Sequence, residues 1–239
     1  MTILQQIHSK TKPQLAVLVD PDKSGAERIN RLMKDDVLAH IGYFFVGGSH
    51  ISEGNIEKTI QLLKQQKDVP VILFPGSVLQ IEPKADAMLF LSLISGRNPE
   101  YLIGQHVVAA PYLKKHELET IPTGYMLIEG GKSTTASYMS NTNPIPMDKP
   151  EIATSTAMAG ELLGMKLIYA DAGSGASKSI PTEMIKAIKT NINLPLIVGG
   201  GICDSKAARE KIDAGADIIV VGNAIERNPD LIKEISYIL

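Results

Sequence analysis

Tryptophan is missing from the 239 residues, and other aromatics are sparse, at seven tyrosines and four phenylalanines. A surface that stacks nucleic-acid bases wants aromatic faces set in a basic stripe. With a formal net charge of −2 the chain offers neither, so no nucleic-acid partner is expected. The one cysteine, Cys203, excludes an intrachain disulfide and fits a reducing compartment. It follows Ile202 just past a strand, where a small packed thiol is the expected role. No apolar run approaches the roughly 18–20 uninterrupted residues of a membrane span, and Met1–Lys12 carries no positive-then-apolar leader. These absences point to a cytoplasmic chain without a transmembrane segment. The five histidines show no metal-ligand spacing: His50 reads as a loop residue, and His40, His106 and His116 as residues on or beside helices. No lysine ends a strand as a Schiff-base former would, which argues against aldolase chemistry.

What is present is a regular alternation. Apolar content of 44% supplies an ample core. Short apolar runs of the kind expected of strands buried on both faces recur at Leu15–Val19, Tyr43–Val46, Val69–Phe74, Ala87–Leu91, Tyr125–Ile128, Leu167–Asp171, Leu194–Val198 and Asp217–Val221. Between them, helices are predicted over Ala26–Asp35, Glu53–Gln66, Pro99–Val108, Pro150–Leu163, Thr182–Thr190, Ser205–Ala214 and Pro229–Ile238, with Asn98, Asp204 and Asn228 as cap candidates. Pro75–Asp86 is too short and proline-broken for a barrel helix, though one turn at Val78–Ile81 is allowed; an irregular segment that can move is expected there. Ser133–Lys149, rich in Ser, Thr, Asn and Pro, reads as a long loop. Eight strands alternating with helices imply a parallel sheet closed into a single (β/α)8 TIM barrel over residues 1–239, with an irregular segment replacing the third helix. An open doubly wound sheet is weaker, because no G-x-G-x-x-G follows the first strand.

Barrels of this kind carry chemistry at the C-terminal ends of their strands. Here those ends are Asp20, Ser49, Pro75, Ser92, Glu129, Asp171, Gly199-Gly200-Gly201 and Gly222-Asn223. The sixth strand is the most telling, since Leu167–Asp171 opens into Ala172-Gly173-Ser174-Gly175-Ala176. Without Cβ atoms in the way, successive N–H groups in such a turn converge on an anion. Three adjacent strands ending in glycine-rich loops suggest one phosphate cradle beside carboxylates, an arrangement suited to activating a hydroxyl or holding a hard cation. Plainer readings exist: Asp20 before Pro21 starts a turn, Ser49 leads into a helix, and tight glycine turns are common in barrels. Lys23 and Lys132 lie in loops, where they would meet a diphosphate or stay solvated.

Val19-Asp20-Pro21-Asp22-Lys23, Gly47-Gly48-Ser49, Ile72–Gly76, Asn98-Pro99, Tyr169–Ala176, Val198–Ile202 and Val221–Asn223 together span nearly the whole chain. In that combination the chain resembles the geranylgeranylglyceryl phosphate synthases and the related bacterial heptaprenylglyceryl phosphate synthases. Asn143–Pro146 and Lys149-Pro150 look like the larger archaeal-type group that also occurs in some bacteria. The resemblance implies transfer of a polyprenyl group from its diphosphate to the sn-3 hydroxyl of sn-glycerol 1-phosphate, giving an ether-lipid precursor. It matches Asp20 and Ser49 to Mg²⁺ positions. It matches Tyr169, Ala170, Asp171, Ala172, Gly173, Ser174 and Gly175, with Gly199, Gly200, Gly201, Gly222 and Asn223, to the glycerol phosphate site. Asp171 stands where the family usually has Glu, and Ala170 where it has Leu; Asp171 remains the candidate base although its carboxylate is set roughly an ångström back. The irregular connector with Leu91, Leu93, Tyr101 and Leu102 is the expected wall of a prenyl groove, ordinary core packing being the alternative. Tyr138 resembles an aromatic that anchors assembly in the group, so homodimers, joined into hexamers, are expected; peripheral membrane contact stays open. Two rivals remain: a sugar-phosphate isomerase or lyase barrel, and a non-catalytic barrel that binds a phosphate ligand.

Overall fold

The structure, a computed structural model, describes all residues except Ser24, Met33 and 66–68. Its strands are β1 (Gln14–Val19), β2 (Tyr43–Val46), β3 (Val71–Leu73), β4 (Ala87–Leu93), β5 (Thr120–Leu127), β6 (Leu167–Asp171), β7 (Leu196–Gly199) and β8 (Ile218–Val221). They pair in parallel and in chain order, and β8 closes on β1 through Gln14–Val17 against Ile218–Val221. Around them lie α1 (Ile3–Ser9), α2 (Ala26–Leu32), α3 (Asp35–Leu38), α4 (Ile56–Leu63), α5 (Gln105–His116), α6 (Thr135–Ser140), α7 (Pro150–Leu162), α8 (Thr182–Asn191), α9 (Ser205–Asp213), α10 (Asn223–Arg227) and α11 (Leu231–Ser236).

The strands read as unbroken apolar runs because both of their faces are covered. Alternate residues such as Tyr43, Phe45, Leu89, Tyr125, Tyr169 and Val220 fill the barrel, while Phe44, Val46, Met126, Ile168 and Val198 pack outward against the helices. Between β3 and β4 there is no α-helix, only a 3-10 turn at Val78–Gln80, as the proline-broken connector predicts. That connector is tied down rather than loose. Gln80, 5% exposed, accepts from the Gly76 N–H at 3.0 Å and donates to the Gly48 carbonyl at 2.8 Å.

Several local expectations need correction. The first twelve residues hold α1, whose Thr2–Gln5 capping box and buried Ile3 and Ile7 close the bottom of the barrel; Glu119 accepts the N–H groups of Ile3 and Leu4 at 2.8 and 2.9 Å. α4 starts at Ile56 and not Glu53, because Asp22 holds the Ser52, Glu53 and Gly54 N–H groups in a loop and Asn55 caps the helix. The predicted end of this helix at Gln66 lies outside the described residues, as does Met33, between α2 and α3 in the predicted Ala26–Asp35 helix. Residues 133–149 are not one long loop: Thr134 and Ser137 form a capping box that starts α6, which ends at Asn141 in the left-handed region. The helix predicted from Pro99 begins as a π-helical turn, Glu100–Gly104, and continues as α5 to His116. The helix predicted over Pro229–Ile238 is α11, Leu231–Ser236, ahead of which Asn228 Oδ1 accepts the Asp230 N–H at 3.2 Å; α10, Asn223–Arg227, is an added short helix before it. Cys203 is exposed, not packed, its thiol 3.5 Å from the Gly201 carbonyl. No helix among the described residues is long and apolar enough to cross a membrane.

Candidate active site

The barrel mouth is floored by aromatic rings. Tyr169 stacks on Phe74 with centroids 5.0 Å apart and meets Tyr125 edge-on at 5.4 Å; Phe45 lies 6.5 Å from Tyr169. Asp171, last residue of β6, stands next to this floor with only 7% of its surface exposed. Its Oδ2 accepts the Tyr125 hydroxyl at 2.7 Å and its Oδ1 accepts the Gly173 N–H at 2.8 Å. Burial pushes the carboxyl above its ordinary value, against the pull of these two donors. Burial first, then the charge of Asp171, drives the Tyr125 hydroxyl well up, and Tyr169 is raised in the same way. Both phenols therefore keep their protons, and Tyr125 is a permanent donor to Asp171.

Beside the carboxylate, glycines let the loops after β6 and β7 approach one another closely. Gly200 and Gly201 adopt φ of +81° and +70°; a Cβ on Gly200 would lie 2.7 Å from both Asp171 Oδ1 and the Ala172 nitrogen. A side chain at Gly199 would strike the Tyr169 hydroxyl, 2.8 Å away. Asn223, opening α10 after Gly222, sends its amide 3.5 Å from the Ser174 hydroxyl, which bridges the loops after β6 and β8. Tyr169, Asp171, Gly173, Ser174, Gly175, Gly199–Gly201, Gly222 and Asn223 thus lie on the neighbouring strand ends β6, β7 and β8. Ala170 departs from this set: its side chain is fully buried in the outer layer of the barrel, as is Ala172.

From the same floor an apolar groove runs down the wall that lacks a helix. Ser49, Pro75–Val78, Leu91, Leu93, Tyr101 and Tyr125 line it, as do Phe90, His106 and Ala109, which sequence reasoning missed. Leu102 does not line it; its carbonyl faces Ser92 Oγ at 3.4 Å. His106 is buried against Ser92 and Phe90, and burial holds its imidazole below the ordinary value. Tyr101 ties its hydroxyl to the Met139 carbonyl at 3.1 Å, joining groove and α6.

The first two strands end at Asp20 and Ser49. Asp20 Oδ2 is 3.0 Å from Lys23 Nζ, and its Oδ1 accepts the Asp22 N–H at 3.1 Å. Ser49 is pressed by the next loop, since a Cβ on Gly76 would lie 3.0 Å from the Ser49 Cα. Asp22 is committed elsewhere: both of its oxygens serve the 52–54 loop, whose Ser52 and Glu53 N–H groups hold its carboxyl down to about 2. Among the described residues no group of three His, Cys, Asp or Glu could hold a metal ion. A lone carboxylate with a hydroxyl still fits Mg²⁺, which takes one or two carboxylates and completes its shell from water and substrate phosphates. The ammonium already drawn to Asp20 shows that this carboxylate attracts a cation.

Tyr125 is the main residue sequence reasoning overlooked. Its one signal is parity, two residues before the end of an inward-facing run, which tells nothing of its partner 46 positions on. The PcrB family model matches residues 8–238. A geranylgeranylglyceryl phosphate synthase from Chitinophaga pinensis is 54% identical over 92% of this chain and 88% of its own length. One from Spirosoma linguale is 47% identical over 100% of this chain and 96% of its own. The crystal structure of (S)-3-O-geranylgeranylglyceryl phosphate synthase from Thermoplasma acidophilum, in complex with sn-glycerol-1-phosphate, superposes with a TM-score of 0.91 at 33% identity, covering 100% of this chain and 97% of that one.

Proposed function

This chain belongs to the PcrB family, and from that premise we propose that it transfers a geranylgeranyl group from its diphosphate to the sn-3 hydroxyl of sn-glycerol 1-phosphate. One observation carries the reading: Tyr125 lines the apolar groove and also donates to Asp171, so the space suited to a prenyl chain meets the buried carboxylate and its glycine cradle at one residue. In this reading the cradle holds the acceptor's phosphate, and the groove holds the donor's tail. Asp171 Oδ1 or Oδ2 takes the hydroxyl proton as the glycerol oxygen bonds to the prenyl C1. The C1–O bond breaks, and the diphosphate departs with its electron pair. Raised by burial, the Asp171 carboxyl is a stronger base than a solvated aspartate, as a general base working near neutral pH requires. Tyr125 keeps that base oriented, and the aromatic floor excludes water from the reacting carbon. Asp20 and Ser49 are the residues assigned to Mg²⁺, which when bound offsets the charge of the leaving diphosphate. The same reading carries a homodimer, joined into a hexamer through Tyr138, which stands 82% exposed on α6.

The test is turnover by the purified protein with geranylgeranyl diphosphate and Mg²⁺, comparing the two glycerol phosphate enantiomers. Ether product from sn-glycerol 1-phosphate alone, lost in Asp20→Ala, is the expected result. Binding of that enantiomer without product, with longer and shorter donors alike, would leave a phosphate-binding barrel and overturn the enzyme reading.

A further inference from the structure

We propose that Lys132 is a direct ligand of the acceptor's phosphate and supplies the positive charge that the glycine cradle lacks. The proposal rests on the reading that glycerol phosphate occupies that cradle. Lys132 follows β5, and the loop carrying it is keyed onto the cradle loop by a single carbonyl. The Gly130 oxygen accepts the N–H groups of Ser177 and Lys178 at 2.9 and 3.1 Å and the Ser177 hydroxyl at 3.1 Å. No side chain fits between the two loops. A Cβ on Gly130 would lie 2.5 Å from the Ala172 oxygen, and one on Gly131, at φ +80°, would lie 2.6 Å from Ser177 Oγ. This junction delivers the Lys132 ammonium to the cradle, 3.9 Å from the point a Cβ on Gly175 would occupy. The Asn223 amide stands 3.8 Å from that same point, so a cation and an amide donor converge over one glycine.

Among the described residues Lys132 has neither an ion pair nor a side-chain hydrogen bond; other lysines share that state, but Lys132 is the one whose ammonium stands over the Gly175 cradle. Backbone N–H groups are neutral donors, and a phosphate dianion gains most from donors that carry charge. An unpaired ammonium held at the rim of such a cradle meets that need.

Isothermal titration of the full chain with sn-glycerol 1-phosphate, and separately with inorganic phosphate, tests this. Lys132→Gln is expected to bind glycerol phosphate about 10- to 100-fold more weakly, with a shallower dependence of affinity on salt. In turnover, KM for glycerol phosphate rises while KM for the prenyl diphosphate stays put. Lys132→Arg recovers much of the loss, and Lys58→Gln on α4 changes nothing. Unaltered affinity in Lys132→Gln, or an equal rise in both KM values, would overturn the proposal. Should the wild type bind inorganic phosphate through Lys132 but not glycerol phosphate, the acceptor reading fails and the phosphate ligand stands; binding of neither sinks both.

Discussion

Asp22 and Asp171 both accept backbone N–H groups at the barrel mouth, yet their acidities move in opposite directions. Asp22, after β1, takes the N–H groups of Ser52, Glu53 and Gly54 and the Ser52 hydroxyl, and its carboxyl falls to about 2. Asp171, at the end of β6, takes one N–H and one phenol, and its carboxyl rises. Hydrogen bonds favour the charged form in both; burial opposes it, and only Asp171 lies deep enough for burial to win. One aspartate is thereby a fixed anion that shapes a loop, and the other is the base of the proposed reaction. The contrast separates positioning from chemistry within a single rim.

The sharpest way to break the contrast is Asp171→Asn, which should lower kcat about 10²- to 10⁴-fold while raising thermal stability at neutral pH. Burial raises the Asp171 pKa, which fixes the sign. Unfolded Asp171 ionises at its ordinary 3.8 and the folded group only higher, so wild-type stability is fullest below 3.8 and declines as pH climbs toward the folded value. The variant's advantage should therefore vanish in acid and grow above pH 3.8; thermal melts across pH would show it. An equally stable variant at every pH would mean that burial does not penalise this carboxylate.

Tyr125→Phe is next in size. Loss of a hydrogen bond to a charged group predicts a fall of about 10- to 100-fold in kcat. Because that bond pulls the Asp171 pKa down, its removal should move the acid limb of the kcat profile to higher pH. An unmoved limb in the pH–rate profile would detach Tyr125 from the base.

The smallest effect belongs to Asp22→Asn, where the 52–54 loop loses its anion. A rise of about 3- to 10-fold in KM for the prenyl diphosphate is expected, with kcat little changed. The Asp22 contribution to stability is present above 3.8 and lost as pH falls through about 2. The variant's deficit in acid-unfolding titrations should accordingly close across that window. A deficit that persists below pH 2 would show that Asp22 acts through packing and not charge.

The barrel was legible in advance because its strands are buried on both faces and so stand out as short apolar runs closed by glycine or acid. The missing third helix was equally legible from Pro75 and Pro83. Short helices were not: α1, α6 and α10 have five to seven residues each, too few to display a periodic face. Cys203 was misread because proximity to a strand does not say which way the departing loop turns. Of the candidate site, Asp20, Ser49, Asp171 and the glycines are visible as strand ends, whereas Ala170 and Ala172 are adjacent to them in sequence but turned outward by strand parity.

The sequence by itself determined which residues end each strand, since alternation and glycine placement are local properties. Only the tertiary structure decided that Tyr125 meets Asp171, that Lys132 reaches Gly175, and that the pKa of one aspartate is lowered while that of the other is raised. Those outcomes depend on distances across a closed barrel and on depth from solvent, and neither is written in the order of residues along the chain.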